Sequence, residues 1–402
     1  CGFIDTAKSE SVDTILEMAQ LKETGQCQKL VVAGCLAERY REEIRKQIPE
    51  IDFIFGPDEL GQVLEAVRID KSKPIPDLKV DSLYTSREVP TIPRLHTTPP
   101  HMSYLKISEG CDHKCAFCAI PGFRGRFRSR TIEDLVSDAK RLAEQGTREL
   151  IIVSQDTLAY GKDLGLSNEG LEKLLDRLLD VDGLDWIRLL YCYPNLLSSV
   201  LTERIAEEPR LCNYFDIPYQ HASPKILELM RRGGGRTMFE QQVEKIPETI
   251  PDAGIRTSFI VGFPGETDED FQKLHDFVEE IKFDRLGVFT YSEEEGTHGA
   301  TLKDDVPKKV KTDRMDAIML LQQGINLEKN IDRVGSKERV LIDMHTEEGA
   351  SIGRSYRDAP EVDNFIQIDE KLPIGEFVDV KIMEAFEYDV KGESLIYESE
   401  TI

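Results

Sequence analysis

Tyr104-Leu-Lys-Ile-Ser108-Glu-Gly-Cys111-Asp-His-Lys-Cys115-Ala-Phe-Cys118 is a short strand-like run that leads at once into three closely spaced cysteines. Downstream of it, apolar runs alternate with helical stretches for more than 200 residues. The pattern predicts strands over 104–108, 150–154, 186–192, 214–218, 255–261 and 286–291, separated by helices such as 131–145, 171–179 and 268–281. Six β/α units in series predict a parallel, partial (β/α)6 barrel with its chemistry at the C-terminal ends of the strands. A charged helix over 308–330 closes it.

On either side the pattern changes. Upstream, a helix over 11–24, a strand over 29–34, a helix over 38–47 and a strand over 51–55 predict a parallel α/β unit. Over 71–100 the periodicity fades and prolines gather (Pro74, Pro76, Pro90, Pro93, Pro99, Pro100), which reads as extended linker. After Gly335 the helical period disappears, and strands over 339–344, 364–368, 377–382 and 395–398 predict a small antiparallel β-barrel. The fold class is therefore α/β with a β appendage. Its domains are 1–85, a linker over 86–100, 101–333 and 335–402.

Composition limits what the chain does. It has 402 residues, 75 acidic and 51 basic, for a net charge of −24. Such a body repels phosphate and disfavours non-specific nucleic-acid binding, so a basic protein is the better partner. The segment from Gly335 onward carries 17 acidic and 7 basic residues, the opposite of an RNA-binding face. No run of about 18 apolar residues is present, which excludes a helical membrane protein. The sequence opens at Cys1 with neither an initiator Met nor a signal segment, and it reads as an N-terminally truncated cytoplasmic protein. Eight cysteines are too few for a disulfide scaffold, and three of them are packed into eight residues, which points to a metal site in a reducing compartment.

Three thiolates at x3 and x2 spacing suit three irons of a 4Fe–4S cluster and leave the fourth iron open to a small ligand. A structural zinc site needs a fourth ligand, and His113 lies awkwardly inside the loop. Cys111, Cys115 and Cys118, with Phe117 before the last, resemble the signature of radical S-adenosylmethionine enzymes. That resemblance implies S-adenosylmethionine on the open iron, its reductive cleavage, and hydrogen abstraction by the resulting 5′-deoxyadenosyl radical. It also implies that Gln155 and Asp156, after the second strand, meet the methionine moiety. Gly262, Pro264, Gly265 and Glu266, after the fifth, would meet the adenine. Without the resemblance, Gln155 and Asp156 could be a helix N-cap and the Gly-Phe-Pro-Gly segment a plain turn. Arg124, Arg126, Arg128 and Arg130 could either stabilise an anionic cluster or form a solvated face with ion pairs. His221 could equally be a buried, hydrogen-bonded residue, and Met230-Arg-Arg-Gly-Gly-Gly-Arg236 either brings an Arg to the barrel mouth or caps a helix.

Cys1 in Cys-Gly-Phe-Ile-Asp and Cys35 in Ala-Gly-Cys-Leu-Ala-Glu-Arg-Tyr taken alone are buried small hydrophobes. Both motifs, however, resemble the N-terminal domain of the methylthiotransferases. This implies that Cys1 and Cys35 are two of three ligands of a second 4Fe–4S cluster, the other lying upstream. The resemblance spans the chain and makes its last domain a TRAM-type barrel. Asp216-Ile-Pro-Tyr-Gln-His221 and Gly353-Arg-Ser-Tyr-Arg-Asp-Ala-Pro-Glu-Val-Asp363 are similar to the RimO branch, which methylthiolates an aspartate β-carbon of small-subunit ribosomal protein twelve. The alternatives are the MiaB branch, which modifies a tRNA adenosine, and a non-catalytic Fe–S scaffold in ribosome assembly. The acidic charge favours the basic ribosomal protein over tRNA. No motif specifies the electron donor or the sulfur donor.

Overall fold

The computed structural model describes residues 1–68 and 97–395. Helix α1 (Asp5–Thr24), strand β1 (Val31–Ala33), helices α2 (Cys35–Arg39) and α3 (Arg41–Gln47), strand β2 (Phe53–Phe55) and helix α4 (Val63–Arg68) come first. β1 and β2 pair in parallel, with Val32 opposite Ile54. Ile15, Ala19, Leu36 and Ile44 pack on them. α1 begins six residues before the predicted start, and no side chain caps it. The single helix predicted over 38–47 is two, because Tyr40 leaves the helical region at φ −127°. The linker predicted over 86–100 lies outside the described residues except for its last four.

The barrel begins with β3 (Met102–Lys106). An excursion follows, built from β4 (Ser108–Glu109), α5 (Ile120–Arg124) and β5 (Arg128–Ser129), with β4 antiparallel to β5. The repeat then runs α6 (Ile132–Glu144), β6 (Glu149–Val153), α7 (Gly170–Leu179), β7 (Trp186–Leu189), α8 (Ser199–Glu207) and β8 (Tyr214–Asp216). It continues with α9 (Pro224–Leu229), α10 (Arg236–Thr249), β9 (Gly254–Val261), α11 (Asp268–Ile281), β10 (Arg285–Thr290) and α12 (Lys308–Arg333). The six strands pair in parallel in sequence order, as β3-β6-β7 and β8-β9-β10, and a bridge from Ile187 to Leu211 joins the sets. Leu150, Ile151 and Ile152 are buried on both faces, as strands of a helix-covered parallel sheet require. α6 starts where the Thr131 side chain accepts from the Asp134 amide, and α11 where Thr267 and Asp270 form a capping box.

After α12 come β11 (Lys337–His345), β12 (Ser351–Arg354), β13 (Ile366–Ile368), β14 (Phe377–Ala385) and β15 (Val390–Ser394), closed in the order β11-β12-β13-β15-β14. Val340, Ile342, Ile366, Val380 and Ile382 fill the interior. Two details differ from the sequence reading. β13 and β15 pair in parallel within the otherwise antiparallel barrel. The last described strand is Val390–Ser394 and not 395–398, whose final three residues lie outside the described residues.

Contacts group the chain into two units. One contains the N-terminal region, Ser108–Arg130 and Ser292–Lys303; the other contains the rest of the β/α barrel with the C-terminal barrel. Within the second unit the base of the β/α barrel meets the C-terminal barrel across a buried ionic seam. Arg188 donates to Glu149 at 2.7 Å, and neither side chain is exposed. Arg354 donates to the other Glu149 oxygen at 2.7 Å and to Asp343 at 2.6 Å, and His101 lies 2.9 Å from Asp343. Arg285 holds Asp358 at 3.0 Å, while Arg256 bridges Asp216 and Asp363. Trp186 meets Phe377 edge-on at 4.6 Å beside them.

Candidate active site

The three-cysteine loop belongs to the first unit, and its shape is fixed by its neighbours in sequence. Gly110, at φ 78°, admits no side chain, because a Cβ there would lie 2.2 Å from the Arg126 carbonyl oxygen. The Cys111 amide donates to the Gly125 carbonyl, and the Cys118 amide donates to that of Cys115, closing a turn around Ala116 and Phe117. Asp112 anchors the loop's outer edge by accepting from Arg126 at 2.6 Å and from the Phe127 amide. That Arg126 contact holds the Asp112 carboxyl below its ordinary value. Ala116 is fully buried and its carbonyl accepts from the Gly299 amide, so the segment 292–303 backs the loop. Cys111, Cys115, Phe117 and Cys118 are all half-buried, and among the described residues no cysteine forms a disulfide.

The same unit brings Cys1 and Cys35 together. Gly2 lies flat on the Cys35 backbone, where a Cβ would stand 2.8 Å from the Cys35 carbonyl carbon and the Leu36 amide. Gly34, at φ 121°, delivers Cys35 to the start of α2. Arg39 straps this segment by donating to the carbonyls of Gly2 and Phe3, and the Cys1 amino group donates to Ser11. Of the arginine series after the loop, Arg126 is exposed and serves Asp112, while Arg128 donates to the carbonyls of Arg124 and Arg126. Arg124 reaches a cysteine: it donates to Cys35 Sγ at 2.9 Å and to buried Glu109 at 2.6 Å. The alternating pattern of the series does not reveal that division. Cys35 and the three loop thiols are half-buried, whereas Cys1 is exposed and not the buried small hydrophobe its residue type suggests; such soft thiols with a guanidinium against Cys35 fit an anionic, thiolate-bound iron–sulfur cube.

In the second unit, polar groups follow the barrel strands. Asp156 takes the N-cap position after β6, yet its side chain caps nothing, so the plain helix-cap explanation fails for it. The Gln155 side-chain oxygen is buried and accepts no hydrogen bond among the described residues. After β9, Gly262 sits at φ 74°, and the Lys311 side chain crosses it, a Cβ there falling 2.2 Å from Lys311 Cγ. Glu266 is buried and fully engaged: one oxygen accepts from the Gly262 and Phe263 amides, the other from Arg314. Its carboxylate therefore shapes the loop. Pro264 is buried, and the Gly265 amide donates to Asp305. His221 is fully buried, with Nδ1 accepting from the Ser223 amide and Nε2 standing 3.6 Å from Glu266. Arg232 stacks on Tyr193 at 3.9 Å and donates to the Pro218 carbonyl.

Two residues stand out here, Tyr191, which the sequence did not mark, and Gln220, marked only as part of the Asp216–His221 motif. Tyr191 and Gln220, just past the ends of β7 and β8, have φ of 59° and 75°. A bulky side chain in that region is strained, and such strain concentrates at functional sites. Asp216 holds Tyr191 in place by accepting from its amide at 3.0 Å, and the ring stays half exposed. No sequence signal marks a left-handed tyrosine.

Comparison with known proteins agrees with this architecture. Residues 105–278 match the Radical SAM superfamily, 334–395 the TRAM domain and 1–56 the uncharacterized protein family UPF0004. Among solved structures, the radical S-adenosylmethionine methyltransferase TsrM from Kitasatospora setae, with tryptophan and a cofactor analogue bound, superposes with a TM-score of 0.52. The alignment covers 89% of this chain and 65% of TsrM at 17% identity, a likeness of fold. Barrel and loop together define a radical S-adenosylmethionine enzyme with a TRAM domain. Proteins named ribosomal protein uS12 methylthiotransferase RimO are 46% identical in Desulforamulus reducens, over 98% of this chain and 89% of the relative. The Flavobacterium johnsoniae protein of that name is also 46% identical, with 87% of its length covered. The chain belongs to this RimO family.

Proposed function

We propose that the protein transfers a methylthio group to the β-carbon of an aspartate of ribosomal protein uS12, in the cytoplasm. The observation that carries this reading is similarity along nearly the whole chain to proteins of that name, with the three thiols in place on the loop after β3. Cys111, Cys115 and Cys118 are the ligands of one 4Fe–4S cube; Cys1 and Cys35 are ligands of a second. When bound, the first cube with S-adenosylmethionine supplies homolytic removal of a hydrogen atom from an unactivated carbon. The chain's own residues bind, orient and exclude water. Phe117 shields the loop, and Gln155 and Asp156 offer acceptors to the amino group of the methionine moiety. The backbone at Gly262, Pro264 and Gly265 lies along the adenine, and Glu266 holds that backbone in shape. The −24 charge draws a basic ribosomal protein and repels tRNA. Among the described residues no helix is long and apolar enough to cross a membrane.

Reconstituted enzyme incubated with uS12, S-adenosylmethionine, sulfide and a reductant should add one methylthio group to a single aspartate. Peptide fragmentation would locate it, and the Cys115→Ala variant should add none. Formation of 5′-deoxyadenosine without any modified aspartate would defeat the proposal.

A further inference from the structure

Arg124, in the arginine series after the loop, joins a buried carboxylate to a cysteine sulfur. It ends α5, six residues after Cys118, and one arm of its guanidinium lies 2.6 Å from Glu109 Oε1. Glu109 is 1% exposed, sits two residues before Cys111, and also accepts from the Gly110 amide. The other arm lies 2.9 Å from Cys35 Sγ. A buried carboxylate thus fixes the orientation of a planar cation, and the rigid fork leaves its remaining donors aimed at sulfur.

We infer that Arg124 is a positioning residue for the Cys35-bound cluster: it donates a charge-assisted hydrogen bond to the ligating sulfur, raises that cluster's reduction potential, and through Glu109 ties Cys35 to the three-cysteine loop. This rests on Cys35 being a cluster ligand. The physical ground is that hydrogen bonds and positive charge at ligand sulfurs favour the reduced, more negative state of a cluster, and that residues beyond the ligands tune it. The Glu109–Arg124–Cys35 chain lies within one unit and its members are separated by as many as 89 residues in sequence, so only the fold assembles it.

The test uses the reconstituted full-length protein, upstream ligand included, with Cys111, Cys115 and Cys118 all changed to Ala, so that only the Cys35-bound cluster is observed. Iron content and an EPR-monitored redox titration are measured with Arg124 intact and in Arg124→Met, Arg124→Lys and Glu109→Gln. At fixed potential the reduced-to-oxidised ratio should fall about tenfold in Arg124→Met, about 59 mV for a one-electron couple. Arg124→Lys should restore part of it, and Glu109→Gln, which frees the guanidinium, should give a smaller fall of the same sign. An unchanged ratio in Arg124→Met at full iron content overturns the inference. If Arg124→Met loses the cluster, the lysine variant decides: a ratio equal to that of the intact protein overturns the inference, and an intermediate one supports it. Absence of any cluster while Arg124 is intact would instead overturn Cys35 as a ligand, and the inference with it.

Discussion

The cysteine unit and the base of the barrel both gather arginines around buried carboxylates, and they spend those charges differently. At the base, Arg188, Arg354, Arg285 and Arg256 each face one or two carboxylates, and both partners are withdrawn from water. In the cysteine unit Arg124 has a single buried carboxylate and gives its other donors to sulfur. A closed set of pairs specifies how two barrels fit. A guanidinium whose second arm faces a thiol and not a second carboxylate suits a thiolate-bound anionic group.

Exchanging the roles should expose this contrast. Cys115→Ala should abolish the loop's cube, about four irons per chain, and all turnover, while thermal stability measured on iron-free protein stays unchanged. Equal iron in the variant would remove the loop from the chemistry. Arg188→Met should do the reverse. With one partner of a fully buried pair gone, Glu149 keeps only Arg354, and unfolding should be easier by about 3–5 kcal/mol in denaturant titration. Iron content should hold, and a loss of iron equal to that of Cys115→Ala would blur the distinction.

The seam also predicts a pH dependence. Burial pushes Glu149, Asp343 and Asp358 upward, but Arg354 and Arg188 at the first, His101 and Arg354 at the second and Arg285 at the third outweigh it and hold all three low. A depressed carboxyl contributes stability that is complete above its unfolded value, about 4, and is lost as pH falls through the folded value. The denaturant midpoint should therefore be level from neutral pH to about 5 and drop below about 4. A midpoint unchanged at pH 3 would mean the seam carries no linkage. The smallest effect belongs to Arg126→Ala. Its guanidinium is in water, and losing the Asp112 contact should shift neither melting temperature nor iron content measurably.

How much of this was readable beforehand depended on whether a local signal existed. α11 was predicted residue for residue because Thr267 and Asp270 form its cap and an apolar period follows. The start of α1 was missed because Ile4 offers no cap and its first turns are polar. β12 and β15 were missed for a different reason. Each carries a glycine that reads as a turn, yet Gly353 and Gly392 are there because a Cβ would meet Val340 and Val380 inside the small barrel. The same division holds in the site. Thiol spacing is local and was legible, whereas Arg124 on Cys35 and Tyr191 at positive φ depend on segments far apart in sequence. The charge of the last barrel was legible in sum but not in use. Asp343, Asp358 and Asp363 are spent inside the seam, so less of its acidity faces a partner than composition suggests.

If the cysteine chemistry serves a basic ribosomal protein, that protein should win over tRNA in direct competition. The most direct measurement is a competition: reconstituted enzyme with limiting S-adenosylmethionine, equimolar uS12 and tRNA, and mass spectrometry of both. Methylthiolated aspartate should appear in uS12, with 5′-deoxyadenosine formed in step with it and the tRNA unmodified; methylthio-adenosine in the tRNA with uS12 untouched would contradict the ribosomal-protein role.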